Sequence, residues 1–270
     1  MGAIDRSRVK RSFGRQAEEY DRHADVQGRV ILRLLEILRR QRIKPERILD
    51  VGTGTGNLLS MLPGLYPDVR LFGVDLAPEM SRLARRKMHD EKHANLLSAD
   101  AERLPFADGA FDLVLSTSTF QWLEGFDMAF AEVTRVLAPG GLFCFALFGE
   151  GTLFELKNSY RQALESAGRL LEDHTHAAHA VREVEEALVK AGFNDCSTMT
   201  EGYLEHHESV PALLRSLKHI GAGNATPDRA RGLAGRKIMR EMIDIYERDF
   251  CSDGLVRVTY DVIYATGRKA

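Results

Sequence analysis

The strongest constraint in this sequence is a run of three alternate glycines placed directly after a short apolar stretch, Ile48-Leu49-Asp50-Val51-Gly52-Thr53-Gly54-Thr55-Gly56-Asn57. A strand that runs straight into such a turn and then into a helix leaves few architectures open. Glycine permits positive φ and lets a ligand approach the backbone closely, while the helix that follows offers unpaired N–H groups at its start. The spacing is not the G-x-G-x-x-G of dinucleotide-binding turns, because Asn57 stands where the third glycine of that pattern would fall. Asp50, at the strand end, suits an ammonium group or backbone donors better than a pyrophosphate. A zwitterionic ligand is therefore expected over a polyanionic one.

The chain around this turn alternates short apolar runs with amphipathic stretches, the pattern of β-α units wound about a mostly parallel sheet. Strands are expected at 47–51, 70–75, 94–99, 111–116 and 142–148, a sixth from near Asp195, and a last one at 256–266. Helices are expected at 57–65, 78–89, 126–137, 153–167 and 181–191. Two further amphipathic stretches, 210–220 and 233–250, exceed a minimal α/β unit, as does the segment 1–44. These extra pieces are read as a helical lid (1–44) and a helical substrate cover (205–252) over the open end of the sheet, around a cofactor-binding core at 45–200 and a final strand at 255–267. The fold class is a doubly wound α/β domain with a seven-stranded, mostly parallel sheet. A length of 270 residues suits one such domain.

Composition narrows the setting rather than the chemistry. No apolar run approaches the roughly 20 residues needed to span a bilayer, so no membrane partner is expected and a cytoplasmic location is the default. Cys144, Cys196 and Cys251 lack the paired spacing of a disulfide framework or zinc site. His174, His176 and His179 do not share one helix face, and His206-His207 alternates faces in a strand, so no metal is expected. Residues 1–44 carry 12 Lys/Arg against 6 Asp/Glu, a local charge of +6 in a chain of net charge −2. That bias suits an acidic partner, and equally a solvated helix face; without interleaved aromatic residues, nucleic acid is not expected.

Two carboxylates extend the glycine motif. Asp75 ends the second strand about 20 residues past the turn, where a carboxylate can accept both hydroxyls of a ribose. Asp100, followed by Ala101, closes the third strand at the same sheet edge. Bland roles exist for each: a helix N-terminal charge for Asp75, a turn for Asp100, and plain core packing for Met80.

In the order LDVGTGTG, FGVDLAPEM, SADAERLPF, FDLVLSTSTFQW and VLAPGG, residues 47 to about 148 resemble the class I S-adenosylmethionine-dependent methyltransferases. The resemblance implies that cofactor, with Asp50, Gly52, Gly54 and Gly56 around its methionine moiety, Asp75 on the ribose, Leu76 and Met80 beside the adenosine, and Asp100 with Ala101 at the adenine. Where amide and adenine-base methyltransferases carry D/N-P-P-Y/F, this chain has Ser116 to Trp122. Ser116, Gln121 and Trp122 are accordingly assigned to the methyl-donor pocket, packing of Trp122 under a helix being the alternative.

Outside that core, Arg11-Ser12-Phe13-Gly14-Arg15, Tyr20 to Gln27, and Leu217 to Asn224 followed by Gly232-Leu233 are similar to segments of the malonyl-acyl-carrier-protein O-methyltransferases of biotin synthesis. The similarity implies methyl transfer to the free carboxylate of a malonyl thioester borne by an acidic, phosphopantetheine-linked carrier protein. Tyr20 would position the acceptor or cofactor, and Arg11, Arg15, Arg215 and Lys218 are candidate clamps for the acceptor carboxylate. Methylation of another small carboxylic acid or a quinone precursor is the alternative within enzymes. A cofactor-binding module without catalysis is the alternative outside them.

Overall fold

The computed structural model describes residues 5–89, 94–169, 179–221 and 233–270. His174 and His176 of the metal reading, and Ala222 to Asn224 and Gly232 of the second family segment, lie outside the described residues. Two helices come first, α1 (Arg6–His23) and α2 (Asp25–Arg40). The alternating unit follows as β1 (Arg47–Val51), α3 (Asn57–Met61), β2 (Arg70–Asp75), α4 (Pro78–Lys87), β3 (Ala94–Ser98) and β4 (Phe111–Thr117). It continues with α5 (Asp127–Val136), β5 (Leu137–Phe148), α6 (Phe154–Ser166), α7 (Val181–Lys190) and β6 (Phe193–His207). The chain ends in α8 (Val210–His219), α9 (Leu233–Phe250), β7 (Cys251–Ser252) and β8 (Leu255–Lys269).

Seven strands lie in the order β3-β2-β1-β4-β5-β8-β6, and the two-residue β7 pairs with β8 as an eighth, beyond the seven expected. Strands β1 to β5 are parallel, whereas β8 runs antiparallel between β5 and β6. The order reverses at β1, whose neighbours are β2 and β4, and a crevice opens beyond their carboxyl ends at such a reversal. The glycine turn lies there.

Alternation along the strands fills both faces of the sheet. Leu142, Cys144 and Ala146 of β5 enter the core with α2, α6, α8 and α9, while Phe143, Phe145 and Leu147 enter the opposite core with α5 and α7. The stacked and edge-on rings of Phe120, Phe130, Phe143 and Phe145 make the second core dense.

The lid expected from residues 1–44 divides in two. Helix α2 buries Val26, Val30, Leu34 and Leu38 at four-residue spacing, with Ile31 and Leu35 beside them, against the sheet, so it belongs to a structural layer. Truncating Leu34 there would cost about 2 to 5 kcal/mol. Helix α1 buries only Val9 and Ala17 and lies against α4 and α8, over the crevice; its N-cap Asp5 accepts the Arg8 N–H at 3.0 Å. Helix α9 packs on α6 and buries Ile238, Met242, Ile245 and Tyr246 in the sheet-face core, not over the open end. Within the 205–252 cover, α8 packs against α1, and just past its end the Gly221 carbonyl accepts the Ser12 hydroxyl at 3.0 Å.

Candidate active site

Each glycine of the turn meets a different demand. Gly52 has φ +77 and a Cβ there would fall 1.9 Å from Thr119 Oγ1, so only hydrogen fits. Gly54 has φ +54 with nothing within 4 Å of an added Cβ, which leaves its backbone open to the crevice. Gly56, at φ +84, starts α3 in the left-handed region, and a Cβ added there would lie only 3.1 Å from the Ala84 Cβ of α4.

Asp75 ties this turn to the end of β2. Its Oδ2 accepts the Gly54 N–H at 2.9 Å and its Oδ1 accepts the Ala77 N–H at 2.8 Å. Burial pushes its carboxyl up to about 6, although both N–H bonds favour the anion. Asp50 lies deeper. It is buried at 1% exposure, its Oδ2 accepts the Thr53 hydroxyl at 2.9 Å, and its Oδ1 is buried with no hydrogen-bond partner. Burial, with Asp75 nearby, raises it to about 7. Its place is beneath the turn, where it props the loop through Thr53 and does not line the cavity.

The cavity is closed on one side by the turn and by Asp75, Leu76 and Met80, and on another by Ala99, Ala101 and the stretch Thr117 to Thr119 with Trp122. Its roof is α1, which contributes Arg6, Val9, Lys10, Phe13 and Tyr20 from one helical face. Phe13 meets the Trp122 ring edge-on at 5.5 Å. Tyr20 sits close to Asp75 and Asp21, and burial together with those carboxylates pushes its phenol far above the usual range, so the hydroxyl stays protonated. Asp21 anchors the same end of α1, accepting from the Thr55 hydroxyl at 2.6 Å, the Asn57 amide at 2.9 Å and Lys87 at 2.8 Å.

Several expected site residues thus meet in one cavity: Tyr20, Gly52, Gly54, Asp75, Leu76, Met80, Ala101 and Trp122. Others do not. Gly56 packs on α4; Ser116 is fully buried and donates to the Val51 carbonyl at 2.7 Å, joining β4 to β1. Gln121 is buried outside the cavity lining, its amide donating to the Ser118 carbonyl at 2.7 Å. Asp100 also lies off the lining, paired with Arg6 of α1, which binds Glu102 as well; the same carboxylate accepts the Glu102 N–H at 2.9 Å.

None of the four expected clamp cations reaches the cavity. Arg11 and Arg15 are exposed on α1, and Arg215 and Lys218 are exposed on α8. The cations that do line it, Arg6 and Lys10, escaped the sequence reading, as did Phe13 and Thr119 as lining residues. The one-turn spacing of Arg6, Lys10 and Phe13 was their available signal, but it assigns no partner to that face. Among the described residues no group of His, Cys, Asp and Glu could hold a metal ion. His179 instead bonds the Leu123 carbonyl and Glu183, each at 3.2 Å. No helix among the described residues is long and apolar enough to cross a membrane.

Comparison with known proteins shows the fold and the family. A family described as "Methyltransferase domain" matches residues 49–145, the segment from β1 to β5 that builds the crevice. Solved structures share the fold. The YcgJ protein of Bacillus subtilis superposes with a TM-score of 0.60 at 17% identity, covering 87% of this chain and 97% of that one. Phosphoethanolamine N-methyltransferase 2 of Haemonchus contortus, solved with S-adenosyl-L-methionine, gives 0.55 at 20% identity over 88% of this chain and 52% of that one. Curated relatives match over nearly the whole length, α1 and α8 included. The malonyl-acyl-carrier-protein O-methyltransferase of Geobacter sulfurreducens is 48% identical over 98% of this chain and 100% of its own. The enzymes of that name from Methylovorus sp. and Legionella pneumophila are 37% and 32% identical over 98% and 97% of this chain and 90% of their own lengths. With its core, its roof helix and its C-terminal helices all inside these matches, the chain belongs to the malonyl-acyl-carrier-protein O-methyltransferase family.

Proposed function

We propose that this chain transfers the methyl group of S-adenosylmethionine to the free carboxylate of a malonyl thioester carried on acyl carrier protein, giving the methyl ester that primes pimeloyl and biotin synthesis. The observation that carries the reading is the extent of similarity to enzymes of that name, 48% identity across 100% of one of them, roof helix included. The residues present fit the cofactor. Gly54 leaves the backbone open beside the cavity, Asp75 presents a carboxylate at its wall, and Leu76, Met80 and Ala101 offer apolar surface for a purine.

When bound, the cofactor supplies an electrophilic methyl group on a sulfonium. Of the residues that line the cavity, Gly52 and Gly54 would border the methionine end, Asp75 would hold the ribose hydroxyls, and Ala99 and Ala101 would flank the adenine. Asp50 acts from below by fixing Thr53, whose hydroxyl donates to its carboxyl oxygen under the turn. An acceptor carboxylate, with a pKa of about 4, is already ionised at neutral pH and needs no general base. The chain's task is then to align the acceptor and exclude water. Phe13 and Trp122 exclude water from the roof, and the protonated Tyr20 hydroxyl can donate to the acceptor.

The test is incubation with methyl-labelled cofactor and either malonyl or acetyl carrier protein. Label should enter the malonyl form as a base-labile ester and leave the acetyl form unlabelled. Equal labelling of both, or of neither, would overturn the assignment.

A further inference from the structure

The cations that miss the cavity are not scattered. Arg11, Arg15 and Arg22 are exposed and fall at spacings of four and seven residues, so they share one stripe of α1. The cavity face of α1 (Arg6, Val9, Phe13, Tyr20) lies across the helix from this stripe. On one flank Glu18 and Asp21 meet Arg86 and Lys87 of α4, and on the other Ser12 meets Gly221 at the end of α8. The arginine stripe is therefore the outward surface of the helix that roofs the cavity.

Helix α8 continues it. That helix has no acidic residue, and Arg215 and Lys218 are exposed one turn apart. Between α8, the α1–α2 junction and the end of β6 runs a groove bordered by Arg22, His23, His206, His207, Arg215 and His219. The His23 and His219 rings stack with centroids 4.5 Å apart, joining the two helices along its floor. Two acids also border the groove, and both face local partners. Glu205 lies 3.6 Å from His207, and Asp25 sits in the first turn of α2, where it offsets the helix dipole. Of the five exposed cations, Arg22 meets Glu19 at 3.0 Å. The charge left on this face is positive.

We infer that the Arg11-Arg15-Arg22 stripe of α1 and the adjoining Arg215 and Lys218 of α8 form the docking face for an acidic acyl carrier, which reaches the cavity from the surface of its own roof. The inference rests on the proposed function and names the partner's surface. Charge complementarity supports it, because an acidic protein with a phosphodiester-linked arm meets guanidinium groups able to bind phosphate and carboxylate bidentately. Continuity supports it too: α1 carries the stripe on one side and Phe13 and Tyr20 on the other, so docking and cavity closure share one helix.

The experiment compares the parent with the double variant Arg22→Glu/Arg215→Glu. Affinity for the phosphopantetheinylated carrier protein is read by fluorescence anisotropy at two salt concentrations. Turnover is read with malonyl carrier protein and with carrier-free malonyl-pantetheine. The variant should bind the carrier roughly tenfold more weakly at low salt and lose most of the parent's salt dependence. Its KM for the carrier-borne substrate should rise by a similar factor while its rate on malonyl-pantetheine and its cofactor affinity stay parental. Unchanged carrier affinity, or an equal fall on both substrates, would overturn the docking face. A parent that binds the carrier tightly yet methylates neither malonyl substrate would refute the proposed function and leave the binding result to decide the surface.

Discussion

The Asp75 carboxylate accepts the Gly54 N–H at 2.9 Å, so the residue proposed to hold the ribose also pins the turn proposed to hold the methionine end. Two parts of one cofactor site are thereby coupled through a single side chain. Asp75→Ala should weaken cofactor binding by about 1 to 3 kcal/mol, since ribose hydroxyls and a turn N–H lose a charged acceptor together. Calorimetry on the folded variant checks this; parental affinity would remove Asp75 from the site.

The glycines should separate by phenotype. Gly52→Ala places a methyl against Thr119 and should lower the melting temperature sharply. Gly54→Val meets no protein atom at Cβ, so its stability loss should be the smaller, limited to the strain of positive φ, about 1 to 2 kcal/mol. Its side chain enters the cavity and should abolish cofactor binding. Thermal melts and calorimetry on the pair distinguish packing from ligand contact.

Buried Asp50 and Asp75 predict a pH dependence. Their ordinary value of 3.8 is raised to about 7 and about 6, so the native chain holds protons that the unfolded chain has released. Their contribution to stability is greatest below the unfolded value and falls as pH rises through the folded values. Asp50→Asn should therefore melt higher than the parent at pH 8 and flatten the decline between about pH 4 and 7. Cofactor affinity should move the other way, increasing as pH rises through about 6, because the ionised Asp75 is the form that accepts ribose hydroxyls. Melting curves and binding isotherms across that range test both signs.

Arg6 bridges α1 to Asp100 and Glu102 at the rim of the cavity. These ions are partly exposed, so Arg6→Ala should change stability by only about 0.2 to 1 kcal/mol. Cofactor exchange should nevertheless quicken, because the roof loses an anchor. Trp122 lines the cavity against Phe13 and is the chain's single tryptophan, so stopped-flow fluorescence reads the change directly.

Removing residues 1–25 should abolish methyl transfer and leave the sheet folded, since α1 buries only Val9 and Ala17 whereas α2 supplies a core layer. Tyr20→Phe tests the hydroxyl while keeping the ring. Full ester formation by the folded truncation would show that α1 is no lid.

Much of this fold is legible in the sequence. The strands 47–51 and 70–75 and the helix 233–250 fall where periodicity and punctuation placed them. The strand expected at 142–148 begins earlier, at Leu137, and carries Pro139-Gly140-Gly141 within it, because Leu137 pairs with Phe111 across a register shift. The helix expected over 57–65 stops at Met61 and tightens into a 3-10 turn at Leu62–Gly64, where Pro63 and Gly64 disfavour further α-helix.

The sequence by itself determined the β-α order, the glycine turn and the carboxylates at the strand ends, because these depend on local backbone freedom and on periodicities that neighbouring residues carry. Tertiary structure alone decided which polar residues face the ligand. Ser116 and Trp122 lie six residues apart, yet one joins two strands and the other lines the cavity. Arg6 and Arg11 lie on one helix, yet one reaches the cavity rim and the other faces outward. Such choices are set by what packs against each face from distant parts of the chain, and a helix period marks faces without naming their partners.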